Sequence, residues 1–453
     1  MELDYSSLVA VRLTCKQFYN ATKTIQFWLN HVQRLKEHSG YVLDFEESFY
    51  TEGELEEWVS RRYRMLEGIW SKSSPPRLQV RSLDLPVEIM RGFYDYEFLP
   101  GGRWLLCFGK DRALLMDTGG SISDPSCLTS LPYSHSNVQS QTSSYEQIEF
   151  ACVVDHTKPR LSFLFAKTSQ SNEVFTTSIS QALLASEHSS NSTFTPRLHA
   201  TFTHDVVPRE DIDYSWVTAL SSRYFAKIER LCSDSRMTVF DYSTTVGAEN
   251  HPNLKGSCIS LTNFRYCWAL KFIHRSTLVA AYSSRVHVLE VIETETAGKP
   301  AIIQQLHVIE MDYAIYEYMS PVRWYQEYSQ VTVYDDNNLP SLLTIPHDKS
   351  APSFYRPFKI GDDYFPGGKS MQFGYSWAIR LSHPSGSDPP PVIEFVKYPW
   401  GSTGSEFVPW NIRVGVPNID PIGMILAFSE EVGRLVTHWS RNDVRTIRVI
   451  DLV

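Results

Sequence analysis

The chain has 453 residues, a hydrophobic fraction of 42% and a formal net charge of -9 at pH 7. That charge disfavours binding to nucleic acid, because polynucleotide-binding domains gather basic residues on one surface. No apolar run is long enough to form a membrane-spanning helix, and the N-terminus lacks a secretion signal. We therefore expect an intracellular protein, cytoplasmic or nuclear, that binds neither nucleic acid nor membranes, and its length suggests two or three domains.

The first twenty-eight residues, MELDYSSLVAVRLTCKQFYNATKTIQFW, show a helical pattern. Residues that recur every three or four positions line up on one face of a helix, and an apolar face must be buried against another surface. In this segment they are Leu8, Val11, Cys15, Phe18, Tyr19 and Thr22. The spacing therefore predicts a helical region whose apolar face is buried against another surface.

The same segment resembles the second half of an F-box, the small helical motif that docks a protein onto a cullin–RING ubiquitin ligase. The resemblance rests on Leu3-Asp4, on Leu8, Val11 and Leu13, on the Cys15-Lys16-x-Phe18 step and on Phe27-Trp28, which closes the motif. It implies that the chain binds an SKP-type adaptor subunit. The side chains that it assigns to this contact are Leu8, Val11, Leu13, Cys15, Phe18 and Trp28.

The segment also departs from the F-box pattern. An F-box normally opens with a Leu-Pro-x-Glu-Ile helix upstream of this point, whereas here Met1 falls in the middle of the motif. Three interpretations stay open. The sequence is a fragment or a mis-started gene model of a full receptor, or the chain has lost strong adaptor binding and keeps the remnant as packing, or the segment is an ordinary amphipathic helix pair at a domain edge.

Two further helix signals follow. The helical spacing continues past Trp28 and ends near Gly40, a frequent residue type at helix C-termini. Thr51 precedes Glu54 by three residues, a capping box in which each side chain bonds an otherwise unpaired backbone N–H. It predicts a short amphipathic helix. The apolar side of this helix consists of Leu55, Trp58, Val59, Tyr63 and Leu66.

The Ser- and Pro-rich stretch at 71–76 cannot continue a helix and marks the expected domain boundary. We assign residues 1–38 to partial F-box helices, residues 39–76 to a helical linker and residues 77–453 to a β-propeller-like domain. The last assignment follows from a change of pattern. After the boundary, short runs of alternating apolar and polar residues are separated by turn residues, which is typical of antiparallel strands.

Seven of these runs share a shape, an apolar stretch that often ends in an acidic residue. Successive end points lie roughly 45 to 65 residues apart, a spacing that suits one four-stranded propeller blade. The end points are Asp117, Ile179, Asp241, Glu290, Asp335, Val396 and Asp451. The sequence therefore predicts a mainly β protein, a propeller of seven blades (six to eight) preceded by F-box-like helices, with an array of β-sandwiches as the alternative.

One repeat and one orphan strand carry further information. The stretch from Leu99 to Asp117 resembles a divergent WD-type repeat, although it lacks the Gly-His and Trp-Asp dipeptides of that family.

A propeller ring must close, because unpaired first and last blades would expose sheet edges. The strand-like run at 77–85 has no blade of its own. We predict that it pairs with the final blade near 446–453. This pairing would join the N-terminal and C-terminal ends of the domain in one sheet.

The sequence shows no recognisable catalytic motif. The sequence has no Gly-x-Ser-x-Gly elbow and no His-Glu-x-x-His helix, and its seven cysteines are scattered singly. The Gly367-Gly368-Lys369-Ser370 run resembles the end of a phosphate-binding loop, but Asp363 replaces the required glycine. The acidic strand ends are expected to cap tight turns by bonding nearby backbone N–H groups. We expect no catalytic residue, no cofactor and no metal.

Helices followed by a propeller are the arrangement of F-box/WD-type receptors. The resemblance implies a non-catalytic substrate-recognition adaptor of an SKP–cullin–F-box ubiquitin ligase. The F-box would dock the SKP adaptor, and the propeller would bind an unknown target protein for ubiquitin-dependent degradation. The second hypothesis is a propeller scaffold that assembles protein partners with no link to ubiquitin. A propeller hydrolase is disfavoured, because no constellation of catalytic residues is visible.

Overall fold

A computed structural model of the chain shows helices at the N-terminus and strands after them. None of the described helices is both long and apolar enough to cross a membrane. The expected boundary at 71–76 and the run at 367–370 lie outside the described residues. The described residues are 5–39, 43, 47–67, 78–86, 93–110, 112–119, 128–133, 148–155, 161–171, 174–184, 194–205, 216–230, 234–246, 253–254, 256–262, 267–282, 284–293, 301–311, 315–325, 327–335, 340–355, 371–373, 377–382, 392–397, 410–415, 423–441 and 444–452.

The helical region contains four described α-helices. They are α1 (Tyr5–Thr14), α2 (Lys16–Ala21), α3 (Ile25–Ser39) and α4 (Glu52–Glu67). The predicted capping box begins α4, because Thr51 N donates to Glu54 Oε2 at 2.8 Å and Glu54 N donates to Thr51 Oγ1 at 3.4 Å. The predicted helix that ends just before Gly40 is confirmed as α3.

The single helical face predicted from Leu8 to Thr22 is wrong. Cys15 has an extended backbone, with φ -158° and ψ 158°, and separates α1 from α2. Because an extended residue interrupts the helical repeat, residues before and after it do not share one face. The buried core of the helical region is instead shared by α1, α3 and α4. Its buried side chains are Leu8, Trp28, Val32, Leu35, Leu55 and Val59.

Seven antiparallel sheets follow in the described part of the chain. The strand β1 (Leu78–Pro86) precedes them. The first three sheets contain β2 (Phe93–Phe98), β3 (Trp104–Gly109), β4 (Arg112–Asp117) and β5 (Leu128–Pro132); β6 (Ile148–Val154), β7 (Ser162–Ser171), β8 (Val174–Leu184) and β9 (Phe194–Asp205); and β10 (Trp216–Leu220), β11 (Tyr224–Arg230), β12 (Asp234–Asp241) and β13 (Ser257–Thr262).

The other four sheets repeat this order, with one extra short strand in the fifth. They contain β14 (Cys267–His274), β15 (Thr277–Tyr282), β16 (Arg285–Ile292) and β17 (Ile302–Glu310); β18 (Ile315–Met319), β19 (Arg323–Trp324), β20 (Tyr328–Asp335), β21 (Pro340–Pro346) and β22 (Ser353–Tyr355); β23 (Met371–Phe373), β24 (Trp377–Ser382), β25 (Val392–Lys397) and β26 (Trp410–Gly415); and β27 (Gly423–Ser429), β28 (Arg434–Arg441), β29 (Val444–Leu452) and β1.

Six of the seven pairs of neighbouring sheets pack against each other in the described part of the chain. Each consecutive pair from the first sheet to the fifth shares a buried apolar cluster, and so do the sixth and seventh sheets and the seventh and first. The first strands of neighbouring sheets also touch: β10 contacts β6 and β14, and β27 contacts β23 and β2. Small antiparallel sheets arranged in this way form a β-propeller. The predicted fold class, a mainly β propeller preceded by a small helical region, is confirmed.

The ring closes in the seventh sheet, where β1 pairs antiparallel with β29. The register runs from Leu78 opposite Leu452 to Pro86 opposite Val444. The predicted pairing of the orphan N-terminal strand with the C-terminal end of the chain is therefore confirmed. It joins the two ends of the ring, which would otherwise present unpaired strands.

One backbone hydrogen bond recurs in six of the sheets and aligns their repeats. Its acceptor is the backbone carbonyl of the residue just before the second strand of each sheet, where the extra strand β19 of the fifth sheet is not counted. Its donors, at 2.8 to 3.2 Å, are the backbone N–H groups of Thr118, Leu184, Tyr242, Val291, His347 and Leu452. Four predicted acidic ends, Asp117, Asp241, Glu290 and Asp451, immediately precede a donor of this kind. Asp335 does not. It ends β20, which is the second strand of its sheet when the extra strand β19 is not counted, whereas the other four acids end or lie in the third strand. An apolar run that ends in an acid does not distinguish these two strands.

Candidate partner-docking surface

A group of large apolar side chains is exposed on the helical region. We name it the docking surface; it consists of Val9, Leu13, Phe18, Tyr19 and Ile25, each more than a third exposed. Leu13 is 83% exposed and Phe18 is 53% exposed. Single exposed apolar residues are ordinary on a protein surface. These five lie near one another in sequence, on α1, α2 and the start of α3, and an exposed apolar patch is typical of a protein interaction site.

Three of the six residues assigned to adaptor binding are exposed, namely Leu13, Cys15 and Phe18. Leu13 lies in the last turn of α1, Cys15 lies in the break, and Phe18 lies on α2. None of the residues of α2 is buried. A helix whose apolar side chains are not used within its own chain can present them to a partner.

The other three assigned residues face the chain itself. Val11 is half-buried, while Leu8 and Trp28 are buried in the helical core. Leu8 and Trp28 therefore stabilise the helices that carry the docking surface. A partner can reach these two side chains only if the helices separate.

Arg12 connects the docking surface to α4. Its Nη1 lies 2.7 Å from Glu56 Oε1, and its guanidinium lies over the rings of Tyr19 and Trp28, at 5.1 and 5.4 Å from their centroids. Lys23 Nζ lies 4.7 Å from the centroid of the Tyr19 ring. Cations over aromatic faces are attracted by the ring electrons. Two cationic side chains thus lie beside Tyr19 of the docking surface, and one of them, Arg12, is paired with Glu56.

The helix α4 fixes the helical region on the propeller. Arg61 Nε donates to Val432 O at 2.7 Å, and Arg62 Nη2 donates to Gly101 O at 3.0 Å. Met65 belongs to the apolar cluster of the sixth and seventh sheets. Polar and apolar contacts together give the docking surface a defined position relative to the ring.

A buried carboxylate joins α4 to both ends of the propeller. Asp451 forms ion pairs with Arg61 of α4, Arg81 of β1 and Arg434 of β28. Burial alone would raise the pKa of the Asp451 carboxyl, but Arg434, Arg61 and Arg81 outweigh it and hold this pKa below its ordinary value. Burial lowers the pKa of Arg434 to about 10. Both groups therefore stay ionised at neutral pH.

Two other acidic strand ends are occupied by structural contacts. Asp117 accepts hydrogen bonds from Arg103 at 3.0 and 2.7 Å, and Asp241 accepts from Arg223 at 2.9 and 2.7 Å. Each also accepts from the backbone N–H two residues further on, at 2.9 and 3.1 Å. The predicted turn-capping role is confirmed for these two residues. Among the described residues, no group of three or more His, Cys, Asp or Glu side chains is arranged to hold a metal ion.

The sequence interpretation missed the arginines of α4, although a signal for one of them is present. Arg62 follows Trp58 by four residues and precedes Met65 by three, so it lies on the apolar side of the helix, where it is 2% exposed. An arginine at an apolar position of an amphipathic helix indicates a buried contact in which its donors are paired.

Comparisons with known proteins give no family. No family model and no curated protein sequence matches the chain. Among solved structures, the WD40 domain of SCAP from fission yeast is similar with a TM-score of 0.40 and 11% identity, over 80% of this chain and 85% of that chain. The Nup170 N-terminal domain from Chaetomium thermophilum, solved with Nup53, has a TM-score of 0.41 and 8% identity, over 83% and 61%. The Dos1 propeller has a TM-score of 0.31 and 10% identity, over 80% and 77%.

Proposed function

We propose that this chain is a substrate-recognition adaptor of an SKP–cullin–F-box ubiquitin ligase. The docking surface binds the SKP adaptor, and the propeller binds the protein that is to be ubiquitylated. The observation that carries the proposal is the exposure of Leu13 and Phe18, two residues of the F-box-like motif. Leu13 lies on α1, which contributes Leu8 to the buried helical core, and Phe18 lies on α2, none of whose residues is buried. The proposal requires an intracellular location.

In this proposal the chain catalyses no reaction; it brings the target protein close to the ligase. A target held on the propeller and a ligase held on the docking surface are joined through α4, whose contacts with the ring fix their separation. Such a linkage raises the effective concentration of the target lysines near the ubiquitin donor. The chain contributes no catalytic residue in this mechanism.

A propeller scaffold without a link to ubiquitin is the second candidate, and one observation favours it. Leu8 and Trp28, two of the six residues that the F-box resemblance assigns to adaptor binding, are buried in the helical core of the chain itself. In this alternative the motif serves packing, and the exposed side chains of α1 and α2 bind a different protein.

The test is binding of the purified chain to a purified SKP adaptor, measured by isothermal titration calorimetry. The variants Leu13→Asp and Phe18→Asp place a charge in the docking surface without touching the buried core. The matched control is Ile302→Asp on β17 of the fourth sheet, because Ile302 is 57% exposed and Phe18 is 53% exposed. Circular dichroism confirms that each variant is folded.

We expect Phe18→Asp and Leu13→Asp to weaken adaptor binding at least about tenfold, the loss typical of a central interface residue. Ile302→Asp should bind as the wild type does. If the wild-type chain fails to bind, or if Phe18→Asp binds as well as Ile302→Asp, the adaptor proposal is wrong. Failure of the wild type would leave the scaffold as the better account.

A further inference from the structure

We name the contact between the first and seventh sheets the seam; it lies beside the strand pair that closes the ring. In addition to the apolar cluster that these sheets share, two turns meet in it, 99–103 before β3 and 429–433 before β28. Gly101 N donates to Glu431 Oε2 at 2.7 Å, and Arg434 Nη1 donates to Gly102 O at 2.9 Å. Gly102 has a φ of +66°, and a Cβ at this position would lie 2.9 Å from Ser429 Cβ. The backbones of the two turns are therefore packed closely.

The helix α4 lies across this seam and binds both of its sides. Arg61 bonds the turn of the seventh sheet through Val432 O. The next residue, Arg62, bonds the turn of the first sheet through Gly101 O, and its Nη2 lies 3.8 Å from Glu431 Oε2 on the seventh sheet. Two adjacent residues of one helix thus connect the first and seventh sheets.

The same helix also reaches the paired strands that close the ring. Asp451 of β29 binds Arg61 of α4, Arg81 of β1 and Arg434 of β28. These three arginines come from the helical region, the first strand and the C-terminal hairpin. A buried carboxylate shared by three cations couples them, because loss of one partner changes the charge that the others experience.

We propose that α4 is a clasp that keeps the propeller ring closed, with Arg61 and Arg62 as positioning residues. Arg61 binds Asp451 of β29, which in turn binds Arg81 of β1, and Arg62 joins the neighbouring turns of the first and seventh sheets. This inference goes beyond the ligase proposal, since it applies whatever protein binds the docking surface. It also connects that surface to the seam, because Glu56 of α4 binds Arg12 of α1 at 2.7 Å.

The test is native-state hydrogen exchange, followed by mass spectrometry, on the full-length chain without any partner. Arg61→Met keeps the length of the side chain and removes its charge. Arg61→Lys is the conservative variant, and it should restore part of the protection. Arg64→Met is the matched control on the same helix, because Arg64 is exposed. The strands β15 and β16 of the fourth sheet are the internal reference.

We expect Arg61→Met to speed exchange of the β1 and β29 amides about tenfold or more, because a hydrogen bond to a charged group is lost at the point where they close. Exchange in β15 and β16 should not change, and Arg64→Met should leave all four strands unchanged. Faster exchange in α4 alone, with β1 and β29 still protected, would show that α4 is a passive attachment. Equal acceleration in every sheet would also overturn the inference. The adaptor takes no part in this measurement, so its outcome is independent of the ligase proposal.

Discussion

The Asp451→Asn variant tests whether the shared carboxylate stabilises the closing sheet. Asparagine keeps the shape of the side chain but removes the charge that neutralises Arg61, Arg81 and Arg434. Arg434 is 4% exposed, so it would become a buried cation without a counter-ion. Removing one partner of a buried ion pair costs about 3–5 kcal/mol. We expect the free energy of unfolding to fall by this amount.

The change in melting temperature follows from the size of the propeller. An unfolding entropy of about 2.1 cal/mol/K per residue, over roughly 370 residues from β1 to β29, gives about 0.8 kcal/mol/K. The variant should therefore melt about 4–6 °C below the wild type in differential scanning calorimetry. The control is Glu310→Gln, which breaks the exposed Arg285–Glu310 pair and should have little effect. Equal shifts in the two variants would refute the reasoning.

The effect of Asp451→Asn also has a defined dependence on pH. Burial would raise the pKa of Asp451, but the arginines, Arg434 foremost, more than compensate, and the pKa is lowered on folding. The contribution of the ionised carboxylate to stability is therefore complete above its unfolded pKa of about 3.9 and is lost as the pH falls below that value. The difference in stability between the wild type and the variant should shrink below about pH 4.

Three further predictions concern the seam, a buried histidine and the closing strand. Gly102→Ala should lower the free energy of unfolding by about 2–4 kcal/mol in calorimetry, since the new side chain combines a left-handed φ with a steric overlap. The control is Gly53→Ala, whose added Cβ meets no atom within 4 Å and should not destabilise the protein. Burial, and next Lys227, lower the pKa of His204 to about 3, so stability falls by up to about 1.4 kcal/mol per pH unit from about pH 6.5 towards pH 3. His204→Phe should reduce this loss in urea unfolding at pH 7 and pH 5, and an unchanged loss would contradict the assignment. Deleting the last eight residues removes most of the pairing between β29 and β1 and should abolish cooperative unfolding followed by circular dichroism; a cooperative transition in the truncated chain would show that the ring does not depend on this closure.

Features that follow from local rules could be predicted from the sequence. The capping box at Thr51 and Glu54 needs only a spacing of three residues, and it forms as expected. The pairing of β1 with β29 spans almost the whole propeller, yet it was predictable, because one strand had no blade and a ring cannot leave its ends unpaired. The recurrence of apolar runs predicted the propeller, although it placed Asp335 on the wrong strand.

The docking surface was only partly predictable. Apolar residues at helical spacing can face a core or a partner, and the position of a helix break decides between the two. The break at Cys15 has no Gly or Pro in Leu13–Phe18 to mark it. The sequence therefore grouped Leu8 with Phe18, whereas the structure buries the first in the helical core and exposes the second.

The seventh sheet shows how a degenerate repeat can acquire a second role. In the first and third sheets, the residue before the second strand is an arginine that binds the acid of the same sheet, as Arg103 binds Asp117. In the seventh sheet the corresponding residue is Gly433, with a φ of +60°, and a Cβ there would lie 2.6 Å from Met65 Sδ of α4. The missing side chain leaves room for the helix, and the helix supplies Arg61 to the acid of that sheet, Asp451. The sheet that closes the ring is thus also the sheet that receives α4, so its stability and the position of the docking surface should change together.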